Sequence, residues 1–148
     1  SITTGAAATA GSITGNWSLT SGSRMQATYA DLAEIYATDQ EYEVGTVVMF
    51  GVDKEVTIAN EYATTRVAGV ISTDPAFIMN NMAEGQAVAL KGRIPVKVQG
   101  IVCKGDFIIA SNTPGVGIAV DNYIGGAVIG KAIEDKTTHD VGIIEVKV

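Results

Sequence analysis

From Tyr42 onward the chain is cut into short apolar runs at intervals of roughly ten residues, a spacing that suits β-strands joined by turns. Val, Ile and Phe dominate the runs, and Gly, Asn, Asp or Pro separate them. Asp74-Pro75 and Thr113-Pro114-Gly115 are turn signals. The pattern predicts strands at Thr46–Val52, Glu55–Ala59, Val67–Ser72, Gln86–Leu90, Ile94–Val98, Asp106–Ala110, Val116–Val120, Ala127–Ile133 and Val141–Val148. Long helical patterns do not alternate with them, which argues against a parallel α/β sheet. The expected class is all-β, with an antiparallel sandwich or barrel as the head domain.

Ahead of this head lies a different kind of sequence. The first 23 residues carry no charged side chain. Ser1-Ile2-Thr3 returns as Ser12-Ile13-Thr14 and, with leucine, as Ser18-Leu19-Thr20, and glycines at Gly5, Gly11, Gly15 and Gly22 divide the stretch. Ordering a residue costs roughly 1–2 kcal/mol of backbone entropy. Four large apolar side chains, Ile2, Ile13, Trp17 and Leu19, cannot offset that cost over the whole arm. It is therefore either a Gly/Ser-rich linker or a segment ordered by pairing with copies of itself. The recurring β-branched residues and the buriable Trp17 favour the second. The expected organisation is a short fibrous β arm over residues 1–24 and a β head over 25–148.

Between the two, Met25 to Thr38 reads two ways. Tyr29, Leu32, Ala33 and Tyr36 fall on one face of a helix, with Asp31 and Glu34 opposite. Alternation of Tyr29, Ala33 and Ile35 equally allows a strand.

Length and charge narrow the function classes. A chain of 148 residues fits one domain, or one domain with an appendage. Its net charge of −6 argues against nucleic acid, since phosphate binding needs a basic patch. Lys91, Arg93 and Lys97 come nearest, and their alternate spacing reads as one solvated strand edge. No apolar run approaches the ~20 residues of a membrane-spanning helix. A chain that starts with Ser1 and not Met, without a basic leader, is expected to be a piece of something longer. Cys103, the single cysteine, excludes an intrachain disulfide, and its apolar setting predicts a small core residue.

Motifs for chemistry are sparse. Gly125 to Lys131 resembles a phosphate-binding loop, but Ala132 stands where a Ser or Thr hydroxyl must hold magnesium, and no helix pattern follows. His139, the single histidine, lies in the polar loop Asp135–Asp140 with no triad partners in evidence. No spacing suggests a metal site, and no cofactor is expected. Asp31 and Glu34 are the one acidic pair with a catalytic reading, two carboxyls sharing a proton for peptide cleavage. The alternative is the wet side of an amphipathic segment.

Two stretches carry a family resemblance. Tyr29-Ala30-Asp31-Leu32-Ala33-Glu34-Ile35-Tyr36, then Gly45-Thr46-Val47-Val48 and Val67-Ala68-Gly69-Val70-Ile71-Ser72-Thr73-Asp74-Pro75, resemble the C-terminal domains of bacteriophage tail fibres and neck appendages. These include autoproteolytic intramolecular chaperone domains. The arm, with Ile13-Thr14-Gly15-Asn16-Trp17-Ser18-Leu19-Thr20, is similar to the segments that precede such domains. The resemblance implies a homotrimeric virion protein, made in the host cytoplasm, that ends a fibre shaft and contacts a host-surface glycan or protein. In the self-cleaving members an acidic motif follows the scissile bond, and Asp31 and Glu34 match it loosely. The expected role is structural and not enzymatic, with self-cleavage as the alternative.

A third reading, a carbohydrate-binding module, needs exposed aromatics, and the candidates are Trp17, Tyr62 and Tyr123. The longest expected loops are Asn60–Arg66 and Pro75–Gly85. The second is apolar for a loop, which predicts Phe77 and Met79 as trimer contacts alongside Ile2, Ile13, Trp17 and Leu19.

Overall fold

The computed structural model describes residues 14–148, so Ile2 and Ile13 lie outside the described residues. Ten strands and no helix occur among them: β1 (Asp31–Tyr36), β2 (Val47–Phe50), β3 (Val56–Ile58), β4 (Val67–Ile71), β5 (Phe77–Met79), β6 (Gln86–Gln99), β7 (Phe107–Ala110), β8 (Gly117–Val120), β9 (Val128–Ala132) and β10 (Gly142–Lys147). The all-β expectation is met.

β6 organises the molecule. Its 14 residues run through two sheets. Residues 93–99 belong to a closed five-strand barrel in the order β6-β8-β7-β9-β10, which returns to β6. Closure leaves this sheet without a free edge. Residues 86–92 lie between β1 and β4 in the second sheet, which continues through β2 to β3. A parallel bridge from Thr38 to Val56 ties the end of β1 to β3, so this sheet also curls back on itself.

The sequence pattern predicts two strands here, Gln86–Leu90 and Ile94–Val98, with a break at Lys91–Arg93. The structure shows one strand, with Leu90 bulged out of the β1 pairing between Ala89 and Lys91. Pro95 does not interrupt it. Arg93 and Lys97 send their N–H groups away from β10, to Ala30 O at 3.1 Å and Gly45 O at 2.9 Å. Pro95 lies between them in phase, so its nitrogen points the same way and no β6–β10 bond is lost.

Two apolar clusters form the core. The larger joins barrel side chains such as Ile94, Val96, Val98, Ile108 and Ile144 to Val47, Val70 and Ala89 of the second sheet. The smaller gathers Val48, Val56, Ile71, Val88 and Tyr42 on the other face of that sheet. Val47 and Val48 are adjacent, fully buried, and serve different clusters. A run buried on both faces is continuous instead of alternating.

Of the two readings open for Met25 to Thr38, the strand holds over Asp31–Tyr36: pairing with β5 and β6 takes up its backbone groups and overrides the 3.6-residue spacing. One further expectation is corrected. Cys103 is exposed. Val102 takes the core position, and the turn that follows directs Cys103 outward, with its N–H bonded to Asp106 Oδ2 at 2.8 Å.

Candidate functional site

Asp31 is the first residue of β1 and is 6% exposed. Its Oδ2 is buried and has no hydrogen-bond partner among the described residues. A buried acceptor left unpaired costs about 1–3 kcal/mol, so a fold keeps one only where something offsets it. The position is built from both sides. Asp31 O accepts Ala76 N–H at 2.8 Å, and Ala30 O accepts Arg93 N–H at 3.1 Å. Gly92 makes this approach possible: at φ +114, a Cβ there would sit 2.2 Å from Ala30 O.

Asp31 lines a cleft of about 330 Å³ at the junction of the two sheets. Ser72, Asp74, Arg93 and Glu145 bring polar groups to it, and Tyr29, Val44 and Pro95 bring apolar surface. Three residues with carboxylates and one with a guanidinium line it. Such a cleft favours a ligand or chain segment that donates hydrogen bonds or carries positive charge.

Glu34 is elsewhere. Residues two apart share a face of a strand, so Asp31 and Glu34, three apart, project from opposite faces of β1. Glu34 Oε2 accepts the Tyr36 hydroxyl at 2.9 Å. Burial, then this neighbouring carboxylate, raises the Tyr36 pKa above its ordinary value. The strand does not bring the acidic pair together.

Phe77 and Met79 lie on strand β5, and not in a loop over Pro75–Gly85 as their sequence predicts. β5 runs parallel to β1, with Phe77 opposite Leu32 and Met79 opposite Glu34. Its other edge has no partner in the described chain. Phe77 is 52% exposed, Ile78 is also exposed, and Met82 is almost fully so. Asn80 ends the strand at φ 55, its side-chain amide bonded to Ile35 O at 3.1 Å. Before β1, residues 14–30 form no strand, and Trp17, Leu19, Met25 and Tyr29 are all exposed.

The remaining candidates separate. Gly125 to Lys131 is a turn leading into β9. His139 is exposed in its loop, whose carbonyls are held by buried Lys136. Lys91 and Arg93 are exposed, whereas Lys97 is half-buried and donates to Glu43 Oε2 at 2.7 Å and Thr46 Oγ1 at 3.1 Å. Tyr62 and Tyr123, 61 residues apart in sequence, line a common cavity. Both are legible in the sequence as candidate exposed aromatics, but nothing in their spacing shows the juxtaposition. Ser72, Arg93 and Glu145, from three distant segments, were likewise missed as companions of Asp31.

No protein-family model and no curated protein matches this chain. Among solved structures, it is similar to the crystal structure of the pre-mature bacteriophage phi29 gene product 12, with a TM-score of 0.66 and 18% sequence identity. The match covers 90% of this chain and 23% of that one. At this identity the likeness is one of fold.

Proposed function

We propose that this chain is a structural virion protein, the folded end of a phage tail fibre or appendage. On this reading it assembles as a homotrimer, holds its chains in register, and has no catalytic role. The observation that carries the reading is the apolar surface left open around β1. β5 presents a bare strand edge with Phe77 and Ile78, and Met82, Met25 and Tyr29 are exposed on the segments that adjoin β5 and β1. An unpaired edge next to exposed apolar side chains is a template for another chain. The charge-free arm is suited to lying against its own copies, because no like charges oppose one another there. Closed rotational symmetry is the usual outcome of such self-association. The fold likeness to a bacteriophage gene product supports the phage setting. Light scattering at micromolar concentration tests it, with three times the chain mass expected and a monomer overturning it.

A second reading, a self-cleaving intramolecular chaperone domain, is favoured by the unpartnered Asp31 Oδ2 in its cleft. The pre-mature state named for the similar structure gives it further support. It would rest on Asp31 and not on a shared-proton pair, since Glu34 faces away. A chain extended upstream of Ser1 should then cut itself, Asp31→Asn should stop the cutting, and Glu34→Gln should not.

A further inference from the structure

We propose that the cavity between Tyr62 and Tyr123 is a binding site for a neutral sugar ring. It measures about 270 Å³ and is lined by Tyr62, Ala63, Ile109, Asn122, Tyr123 and Ile124. That is a little below the ≈ 300 Å³ at which drug-sized pockets begin, a size suited to one pyranose and not to a protein segment.

One wall holds its ring in place, and the backbone of the other is docked on the barrel. Tyr123 packs on Phe107 with ring centroids 4.5 Å apart and planes at 57°. Lys131 Nζ stands 4.6 Å from the Phe107 centroid, so the support is itself clamped. The Ile124 carbonyl accepts Ala127 N–H at 3.0 Å and closes the loop that carries Tyr123. Opposite, Ala63 is a non-glycine residue at φ 53, a costly conformation placed directly after Tyr62. Its N–H bonds Ala110 O at 3.0 Å, which docks this loop on β7. Preorganised loops of this kind lose little freedom on binding.

The chemistry of the lining selects the ligand. The Tyr36 and Tyr42 hydroxyls donate to Glu34 and Asp39 within the protein, whereas those of Tyr62 and Tyr123 donate to no protein group among the described residues. Both rings are about half exposed, and Ile124 is 64% exposed. A pyranose offers an apolar face of C–H groups for stacking on a tyrosine ring and a rim of hydroxyls for the tyrosine O–H and the Asn122 amide. Charge argues against an anionic ligand. Lys131 is engaged over Phe107, Arg66 is paired with Glu61 at 2.6 Å, and Glu61 and Asp121 stand beside the cavity in sequence.

This inference goes beyond the assembly reading and does not depend on it, because sugar binding is read without reference to oligomer mass. The test is ligand-observed saturation-transfer NMR on the full chain with maltose, cellobiose, lactose and chitobiose, and with digalacturonate as the anionic counterpart. At least one neutral disaccharide should bind at millimolar concentration. Tyr62→Ala and Tyr123→Ala should each weaken it by about tenfold or more, the loss expected for one aromatic contact. Ile101→Ala, at an exposed apolar residue outside the cavity, should leave binding unchanged. Tyr123→Leu, whose apolar bulk still covers Phe107, should remain folded and also lose the sugar. The proposal is overturned if no neutral disaccharide binds, if binding survives both alanine variants or Tyr123→Leu, or if digalacturonate is preferred.

Discussion

Gln86 holds Tyr42 by both of its backbone polar groups: Tyr42 N–H donates to Gln86 Oε1, and Gln86 Nε2 donates to Tyr42 O, each at 2.8 Å. The two residues are 44 apart, and the clamp fixes the loop between β1 and β2 against the start of β6. Tyr42 is thereby set into the smaller core cluster, where its hydroxyl accepts Ile58 N–H at 3.0 Å and donates to Asp39.

Gln86→Ala removes the partner of two backbone groups at once. A loss of about 2–3 kcal/mol of folding stability is expected, from two ordinary hydrogen bonds plus the cost of groups left unpaired. Urea unfolding measures it. An unchanged midpoint would mean that water replaces the amide without cost.

Acid should weaken the same loop. Asp39 Oδ1 accepts the Tyr42 hydroxyl at 2.5 Å and Oδ2 accepts Thr57 Oγ1 at 2.8 Å. The Tyr42 hydroxyl first, with help from Thr57, holds the Asp39 carboxyl below the ordinary carboxylate range. A lowered folded pKa gives stability that is present above the unfolded value and is lost as pH falls through the folded one. Stability should therefore fall between about pH 5 and pH 3, and Asp39→Asn should make that fall shallower. Unfolding midpoints at both pH values decide the matter.

Lys136 is 8% exposed, and its Nζ donates to the carbonyls of Gly100, Thr138 and Asp140. Its charge satisfies a loop that turns back on itself before β10. Lys136→Met keeps the stem and removes the donors, with an expected cost of about 3 kcal/mol. Hydrogen exchange at Gly100, whose N–H bonds His139 O at 3.1 Å, should accelerate. The exchange rates of β2 and β4 should change far less.

The assembly reading predicts which exposed side chains matter. Phe77→Glu on the β5 edge should raise the dissociation constant of the oligomer by about tenfold or more, as loss of a buried aromatic anchor does. Trp17→Ala should weaken assembly by roughly 3–5 kcal/mol for each site buried there. In both variants the head should keep its circular dichroism spectrum, because neither side chain belongs to its two core clusters. Oligomer mass against concentration gives the result.

All nine strand segments expected from the sequence correspond to strands or to parts of β6, because β-branched runs between turn residues carry local information. Where non-local contacts decided, that information ran out. The Phe77–Met79 stretch is a strand because β1 lies beside it, and Asp31 begins a strand because Gly92 lets its backbone approach β6.

By itself the sequence determined an all-β head, its turns, and a charge-free arm ahead of it, since propensity and patterning act over a few residues. Tertiary structure alone decided that one long strand would serve two sheets and that the barrel would close. It also decided that Asp31 would share a cleft with Arg93 and Glu145 while Glu34 projects from the opposite face of β1, and that Tyr62 and Tyr123 would line one cavity. Those are relations between segments distant along the chain, and they follow from strand register and closure, which no single segment encodes.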